Sequence, residues 1–451
     1  MSELNWAKYN RPVPRYTSYP TVPDWNSENF DFSEALHRLT RATDENGGFA
    51  LYIHLPFCES LCTYCGCNKR ITKNHLVERP YINALLREFD LYSKFIAEGA
   101  KITGIHLGGG TPTFFSPENL QYLLENILKH PHVEAGEMFS FEAHPANTSR
   151  EHLETLYNLG FRRLSLGVQD FDPKVQTAIH RFQTVDDVQT VITQAREIGY
   201  TSINFDLIYG LPFQNELSFS KTLEESIALQ PDRLAYYSYA HVPWTSPGQR
   251  AYDENDLPDA ATKLALHHMG REAFLAAGYA DIGMDHFVFP QDGMFRDKEQ
   301  GYLHRNFMGY THAREKVLLG LGTSSISDVG NAFWQNEKKN EIYQALLKTD
   351  ELPVIKGHLL TDREQKHREI IQSISCYRLA KWDSEVAEFL EDSGRIDVLK
   401  DMEMDGLLDL DGNHLQLTSL GTTFLRNVCS VFDVNYPIMG AQTIQRSSQA
   451  I

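Results

Sequence analysis

The chain has 451 residues, enough for one large domain and a smaller one around a substantial core. Its net charge of -18 speaks against sequence-independent nucleic-acid binding, which needs a basic surface, and against an anionic membrane as a resting place. No apolar run approaches bilayer length and the start, Met-Ser-Glu-Leu-Asn-Trp, has no signal-peptide pattern, so a cytoplasmic location with reduced thiols is expected.

Residues 1–47 carry little regular pattern. The stretch Asn10–Thr21 is rich in Pro, Tyr and Arg, which disfavours a helix. It reads as an extended arm packed on the main domain, or as a lid or substrate contact through Arg15, Tyr16 or Tyr19. From Phe49 to Leu55 runs an apolar segment of strand length that ends at a cysteine-rich loop. A helical pattern covers roughly Tyr81–Glu98 and stops at Gly99. Further strands are expected over Ile102–Leu107, Met138–Ala143, Arg163–Val168, Ser202–Ile208, Arg233–Ala240 and Ala280–Met284. Helices between them end at Gly99, Gly160, Gly199 and Gly278, where glycine suits the left-handed closing residue. Strand alternating with helix implies a parallel sheet with helices outside. Six to seven such units predict an α/β fold with an incomplete parallel (β/α) barrel, its chemistry at the carboxyl ends of the strands. The barrel domain and its extension are expected over 48–355, and a helix-rich C-terminal domain over 356–451 with a hairpin at Leu407–Leu417.

The loop Tyr52–Cys67 holds four of the six cysteines, and Cys58, Cys62 and Cys65 are spaced C-x3-C-x2-C. Each thiolate can hold one iron of a cubane, leaving the fourth iron open. Zinc is an alternative, although zinc sites pair C-x2-C twice and no second pair follows. On the expected rim lie Gly108–Thr113, Glu142, Gln169, Asp206 and Ala240-His241. Singly each reads as a cap or a core hydrogen bond; together on one rim they read as a site. Gly108, Gly109 and Gly110 form a tight turn or allow close approach to a cofactor. Arg181 reads as a carboxylate contact or a solvated side chain, and Cys376 and Cys429 as buried thiols.

These residues resemble the radical S-adenosylmethionine (SAM) enzymes, and within them the oxygen-independent coproporphyrinogen III oxidases of haem biosynthesis. The resemblance covers nearly the whole chain: Pro14–Thr21, Tyr52–Cys58, Gly108–Thr113, Leu166–Asp170, Asp206–Pro212, Gly283–His286 and Leu303–Asn306. It implies conversion of two propionates of coproporphyrinogen III to vinyls, giving protoporphyrinogen IX, by a 5′-deoxyadenosyl radical. It implies a [4Fe–4S] cluster on Cys58, Cys62 and Cys65, with Cys67 outside the ligand set. A first SAM is implied at Tyr52, Tyr64, Gly109, Glu142 and Ile326, and a second at Gly110, Thr111, Gln169, Arg181, Asp206 and Ala240. Tyr52, His54 and Glu142 are the implied catalytic residues. Four propionates in an acidic protein need a local basic patch, for which Arg15 and Arg305 are the candidates. A low-potential electron donor and a monomeric state are expected. A haem-binding chaperone of the same superfamily is the alternative; Cys67 and the Arg-Tyr-Thr-Ser-Tyr arm speak against it. The sequence departs from the family pattern at His144, where Glu-x-Asp-Pro is common, and at His312, where Tyr-Thr-Thr is common.

Overall fold

The computed structural model describes residues 8–130 and 139–437. Its centre is a twelve-stranded sheet. In chain order its strands are β1 (Gly48–Leu55), β2 (Lys101–Gly109), β3 (Phe139–Ala143), β4 (Phe161–Gln169), β5 (Ser202–Tyr209), β6 (Arg233–Ser238), β7 (Ala280–Gly283), β8 (His286–Val288), β9 (Leu318–Leu321), β10 (Ile326–Asp328), β11 (Ala332–Asn336) and β12 (Val354–Leu359). The spatial order is β12-β11-β10-β9-β1-β2-β3-β4-β5-β6-β8-β7. Strands β1 to β6 are parallel neighbours, and β9 is parallel to β1 on its other side. The outer strands are antiparallel, and the end strands β12 and β7 do not pair, so the barrel stays incomplete. Met138, the expected first residue of the third strand, lies outside the described residues.

Near-continuous apolar runs make these strands. Phe49, Leu51, Ile53 and Leu55 on one face of β1 and Ala50 and His54 on the other are buried, as strands covered on both faces require. The helix before β2 is α2 (Glu78–Ser93), earlier than the spacing predicts at both ends. The seventh expected unit differs more. Gly283 and Met284 (φ 41°) turn the chain back at once, so β7 makes a hairpin with β8, and β8 adds antiparallel to β6. A parallel neighbour needs a crossover of a dozen or more residues, which the two residues between β7 and β8 cannot supply.

Residues 1–47 are not all irregular. The helix α1 (Phe32–Asn46) is capped by Asp31, whose carboxylate accepts from the Ser33 and Glu34 amides, and it buries Ala35, Leu36 and Leu39 in the barrel core. The preceding arm packs on both parts: Phe30 lies against the barrel core and Trp25 stacks on Phe333 of β11 (5.5 Å). Tyr9, Tyr16 and Tyr19 enter a second core with Ile374, Leu390, Val428 and Phe432 of the C-terminal part. That part is helical as expected and also holds a small antiparallel sheet, which contains the expected hairpin as Leu408–Asp411 and His414–Leu417. Cys376 and Cys429 are buried there.

Candidate active site

Parallel β-strands all end on one side, so β1 to β5 deliver their last residues to one rim. A cavity of about 520 Å³ opens there. Cys58, Cys62, Cys65 and Tyr64 border it on the loop after β1, and Gly109, Gly110 and Thr111 at the end of β2. Glu142 from β3, Gln169 from β4, Asp206 from β5 and Arg181 from the following segment complete that wall. Tyr52, His54, Ala240, Ile326, Arg15 and Arg305 are not among its lining residues.

The cysteine loop is shaped by bonds from outside it. The Thr111 hydroxyl donates to Cys58 Sγ (3.3 Å) and Arg181 Nη1 to Cys62 Sγ (3.7 Å). Lys69 Nζ donates to the Cys65 carbonyl (2.9 Å). A hydrogen bond from the Cys67 thiol holds the Cys65 thiol below its usual range despite burial, with Lys69 adding to the effect; the same bond pushes Cys67 up. The three sulfurs border one space without converging on a point. Among the described residues no three His, Cys, Asp or Glu side chains are placed to hold a single ion. A cubane instead takes each thiolate on a separate iron.

Glycine at Gly109 and Gly110 has a local cause. A Cβ on Gly109 (φ 111°) would lie 2.6 Å from the His54 ring, and one on Gly110 would lie 2.6 Å from the Pro56 carbonyl carbon. The turn therefore packs directly on the end of β1. Its Gly109 amide donates to Glu142 Oε2 (3.2 Å), and His106 Nε2 lies 3.5 Å from Glu142 Oε1. Burial pushes the Glu142 carboxyl up, but the His106 hydrogen bond, its charge and the Gly109 amide outweigh it, so the group stays below the usual range. Its side chain keeps 44% of its surface, which faces the cavity it lines. Asp206 behaves oppositely: burial and the Glu142 charge push it up to about 7, against hydrogen bonds from Ser165 and Asn204. Gln169 has left-handed backbone (φ 65°), and its Oε1 is buried without a partner, an acceptor available to a ligand N–H or O–H.

Behind this wall, His54 is 5% exposed. Its Nε2 lies 2.8 Å from the Asn68 carbonyl, which can only accept, so Nε2 carries the proton and Nδ1 accepts from the Tyr52 hydroxyl (3.1 Å). Burial lowers the His54 pKa and favours this neutral form. Ala240 is tied to the loop by a residue the sequence did not single out: Gln249 Nε2 donates to the Tyr64 carbonyl (3.0 Å) and the Ala240 carbonyl (3.2 Å). His144, at the first departure from the family pattern, accepts from the Ala146 amide (3.2 Å), a capping role open to any side-chain acceptor. Burial and the Arg181 charge push it down to about 3. His312, at the second, accepts from the Arg314 amide in the same way (3.0 Å).

The two expected arginines meet at the seam between barrel and C-terminal part. Arg15 Nη2 donates to the Ser238 carbonyl (2.7 Å) and Arg305 Nη1 to the Tyr16 carbonyl (2.6 Å), while Arg305 Nε is buried without a partner. Arg305 also lies over the ring of Tyr310, a cavity residue (5.6 Å). Two further cations join them. Arg426 Nε donates to the Pro14 carbonyl (3.1 Å) and Lys263 Nζ to the Tyr239 carbonyl (2.9 Å). Arg15, Arg305 and Arg426 all act on Asp285, whose pKa burial raises. Neither Arg426 nor Lys263 stands in a recognisable motif, and only the fold brings them here.

A model of the radical SAM superfamily matches residues 52–225. The oxygen-independent coproporphyrinogen III oxidase of Pseudomonas aeruginosa is 38% identical over 447 residues, covering 97% of each chain. That of Escherichia coli K12 is 36% identical over 445 residues, covering 96% of each. This chain belongs to the oxygen-independent coproporphyrinogen III oxidase family. A solved structure of the family, coproporphyrinogen III oxidase from Escherichia coli, described as a radical SAM enzyme, superposes with a TM-score of 0.86 at 34% identity. It covers 94% of this chain and 100% of that one. The fold is therefore the family's fold over both the barrel and the C-terminal part.

Proposed function

We propose that this chain converts two propionates of coproporphyrinogen III to vinyls without oxygen, giving protoporphyrinogen IX in haem biosynthesis. The observation that carries the reading is the end-to-end likeness to the family, with the cysteine loop opening onto the cavity at the strand ends. When bound, a [4Fe–4S] cluster with SAM supplies a 5′-deoxyadenosyl radical that removes a hydrogen from a propionate β-carbon. Cys58, Cys62 and Cys65 hold the cluster. Tyr52, Tyr64, Gly109, Glu142 and Ile326 would hold the first SAM, with Glu142 ionised to accept from its ammonium group. Gly110, Thr111, Gln169, Arg181, Asp206 and Ala240 surround a second. Tyr52 and His54 act by position, bonding the end of β1 to the end of the cysteine loop. Arg15 and Arg305, with Arg426 and Lys263, face the substrate carboxylates. The working unit is a cytoplasmic monomer, comprising the arm at 1–47, the barrel with its extension at 48–355 and the C-terminal domain at 356–451.

The test is an anaerobic assay with coproporphyrinogen III, reductant and SAM. Protoporphyrinogen IX is the expected product, and its absence with intact SAM cleavage overturns the substrate assignment. Cys58→Ser, Cys62→Ser and Cys65→Ser should each abolish SAM cleavage, whereas Cys67→Ser should keep its iron. Arg15→Gln and Arg305→Gln should weaken coproporphyrinogen binding by about 1.5–3 kcal/mol, the worth of a charged hydrogen bond. An unchanged KM in both would place the carboxylates elsewhere.

A further inference from the structure

The reversal after β7 places an acid on the catalytic rim. β7 ends at Gly283 and β8 begins at His286, so Met284 and Asp285 are the whole of the turn. β8 runs antiparallel to β6 with His286 opposite Ala235, and the Tyr236 amide donates to the Asp285 carbonyl (2.6 Å). The turn therefore lies toward the carboxyl end of β6, the side on which β1 to β5 deliver their last residues. The next residue, His286, lines the cavity, its ring 5.9 Å from that of Tyr237 and 5.1 Å from that of Tyr310.

Asp285 is half-buried. Among the described residues no hydrogen bond or ion pair reaches its carboxylate. Arg15, Arg305 and Arg426 are near enough to act on its charge, yet they direct donors to the backbone carbonyls of Ser238, Tyr16 and Pro14. A carboxylate among arginines ordinarily closes a two-pronged pair with one of them. Here acceptor oxygens stand without donors, with cations close by. A polar group left unpaired in such a place calls for a partner from outside the chain.

Coproporphyrinogen has the complementary arrangement. Its propionates lie on the edge of the macrocycle, and each pyrrole turns an N–H toward the centre. Its bridges are saturated, so the ring can dish and bring several N–H groups onto one acceptor. We propose that Asp285 accepts the pyrrole N–H groups at the centre of the macrocycle while the arginines of the seam take propionates at its edge, and that this contact selects porphyrinogen over porphyrin. A porphyrin carries the same propionates, but it has lost half of its N–H groups and is held flat. A site built on that acceptor rejects it. The proposal rests on reading the seam as the substrate site, and the test separates the two.

Holoenzyme of measured iron content is assayed anaerobically for its KM for coproporphyrinogen III. Its dissociation constant for coproporphyrin III, the oxidised ring with the same propionates, is read from the fluorescence of that ring. Asp285→Ala should raise the KM roughly tenfold or more, as loss of a charged acceptor does, and should weaken coproporphyrin binding far less. Asp285→Asn keeps the shape and one acceptor oxygen and should show a smaller rise in the same direction; it decides the matter if the alanine variant loses its iron. The sign discriminates. If Asp285 only offsets the charge of the arginines, its removal strengthens their hold on a polyanion and the KM falls. A lowered or unchanged KM in the Asp285 variants overturns the proposal, as does an equal loss of affinity for both tetrapyrroles. If Arg15→Gln and Arg305→Gln also leave the KM unchanged, the seam is not the substrate site and the proposal falls with it. If those two raise the KM while the Asp285 variants do not, the propionates bind at the seam and Asp285 has no part in it.

Discussion

Glu88 shows what one buried carboxylate does for a site it never touches. It is fully buried in α2, and its Oε2 accepts from the Gly322 amide (2.8 Å) and the Tyr343 hydroxyl (2.6 Å). Asn336 Nδ2 donates to Oε1 (2.5 Å). The same helix sends the Tyr81 hydroxyl to the His54 carbonyl (2.9 Å), and that hydroxyl accepts from the Thr323 amide (3.0 Å). The turn leading to Ile326 and the end of β1 are thus fixed by one helix. Burial raises the Glu88 pKa from 4.5 to about 7, against these hydrogen bonds. Between those values the folded chain holds a proton that the unfolded chain has lost. The contribution to stability is therefore complete below about pH 4.5, falls as pH rises through about 7 and is flat above. Glu88→Gln cannot ionise and lacks that slope. Denaturant unfolding at about pH 5 and about pH 8 should show the stability difference between wild type and variant move by roughly 3 kcal/mol, the variant gaining relative to wild type at the higher pH. The sequence discloses residues whose spacing is local, such as Cys58, Cys62 and Cys65. Glu88, Lys263 and Arg426 stayed unread because their partners lie far off in the chain, and nothing near them carries a signal.

At the scale of elements, the turn after β2 is the joint between strand and cysteine loop. The Gly110 amide donates to the Leu55 carbonyl (2.9 Å) and the Thr111 amide to the Phe57 carbonyl (3.0 Å). Both neighbours of a Cβ at Gly110 are backbone, which cannot swing aside as a flexible side chain can. Gly110→Ala should cost about 1–3 kcal/mol in thermal unfolding, the usual range for overpacking, and should lower the iron content of anaerobic preparations. Gly293→Ala, where a Cβ meets only Arg296 Nη2 at 3.9 Å, is the control and should change neither. Wild-type iron in Gly110→Ala would remove the turn from any account of cluster binding. The strands β1 to β6 were legible because buried parallel strands are plain apolar runs. α1 was missed although Asp31, Ala35, Leu36 and Leu39 spell a capped amphipathic helix, because the prolines upstream set the reading for the whole segment. The reversal at β7 was not legible: hydrophobic period gives a strand, never its direction.

The two largest cores among the described residues lie in the barrel and in the C-terminal part, and Tyr9, Tyr16 and Tyr19 of the arm belong to the second. Tyr9 is fully buried, its ring 5.2 Å from Phe424 and its hydroxyl 2.5 Å from Asp405. Tyr16 reaches Asp433 (3.0 Å). Tyr9→Ala should cost about 3–5 kcal/mol, as large aromatic truncations in cores do. The loss falls on the C-terminal core, so calorimetry should split one transition into two, with that core melting first. A single transition shifted as a whole would mean that the cores cannot unfold apart. The same packing has a meaning in time. Tyr9 accepts at its carbonyl from Asn427, 418 residues later. At roughly 5–20 residues per second on a ribosome, the arm waits about 20–80 s before its partners exist. Through that interval three tyrosines made early travel without a core to enter, and chaperones have that long to hold them.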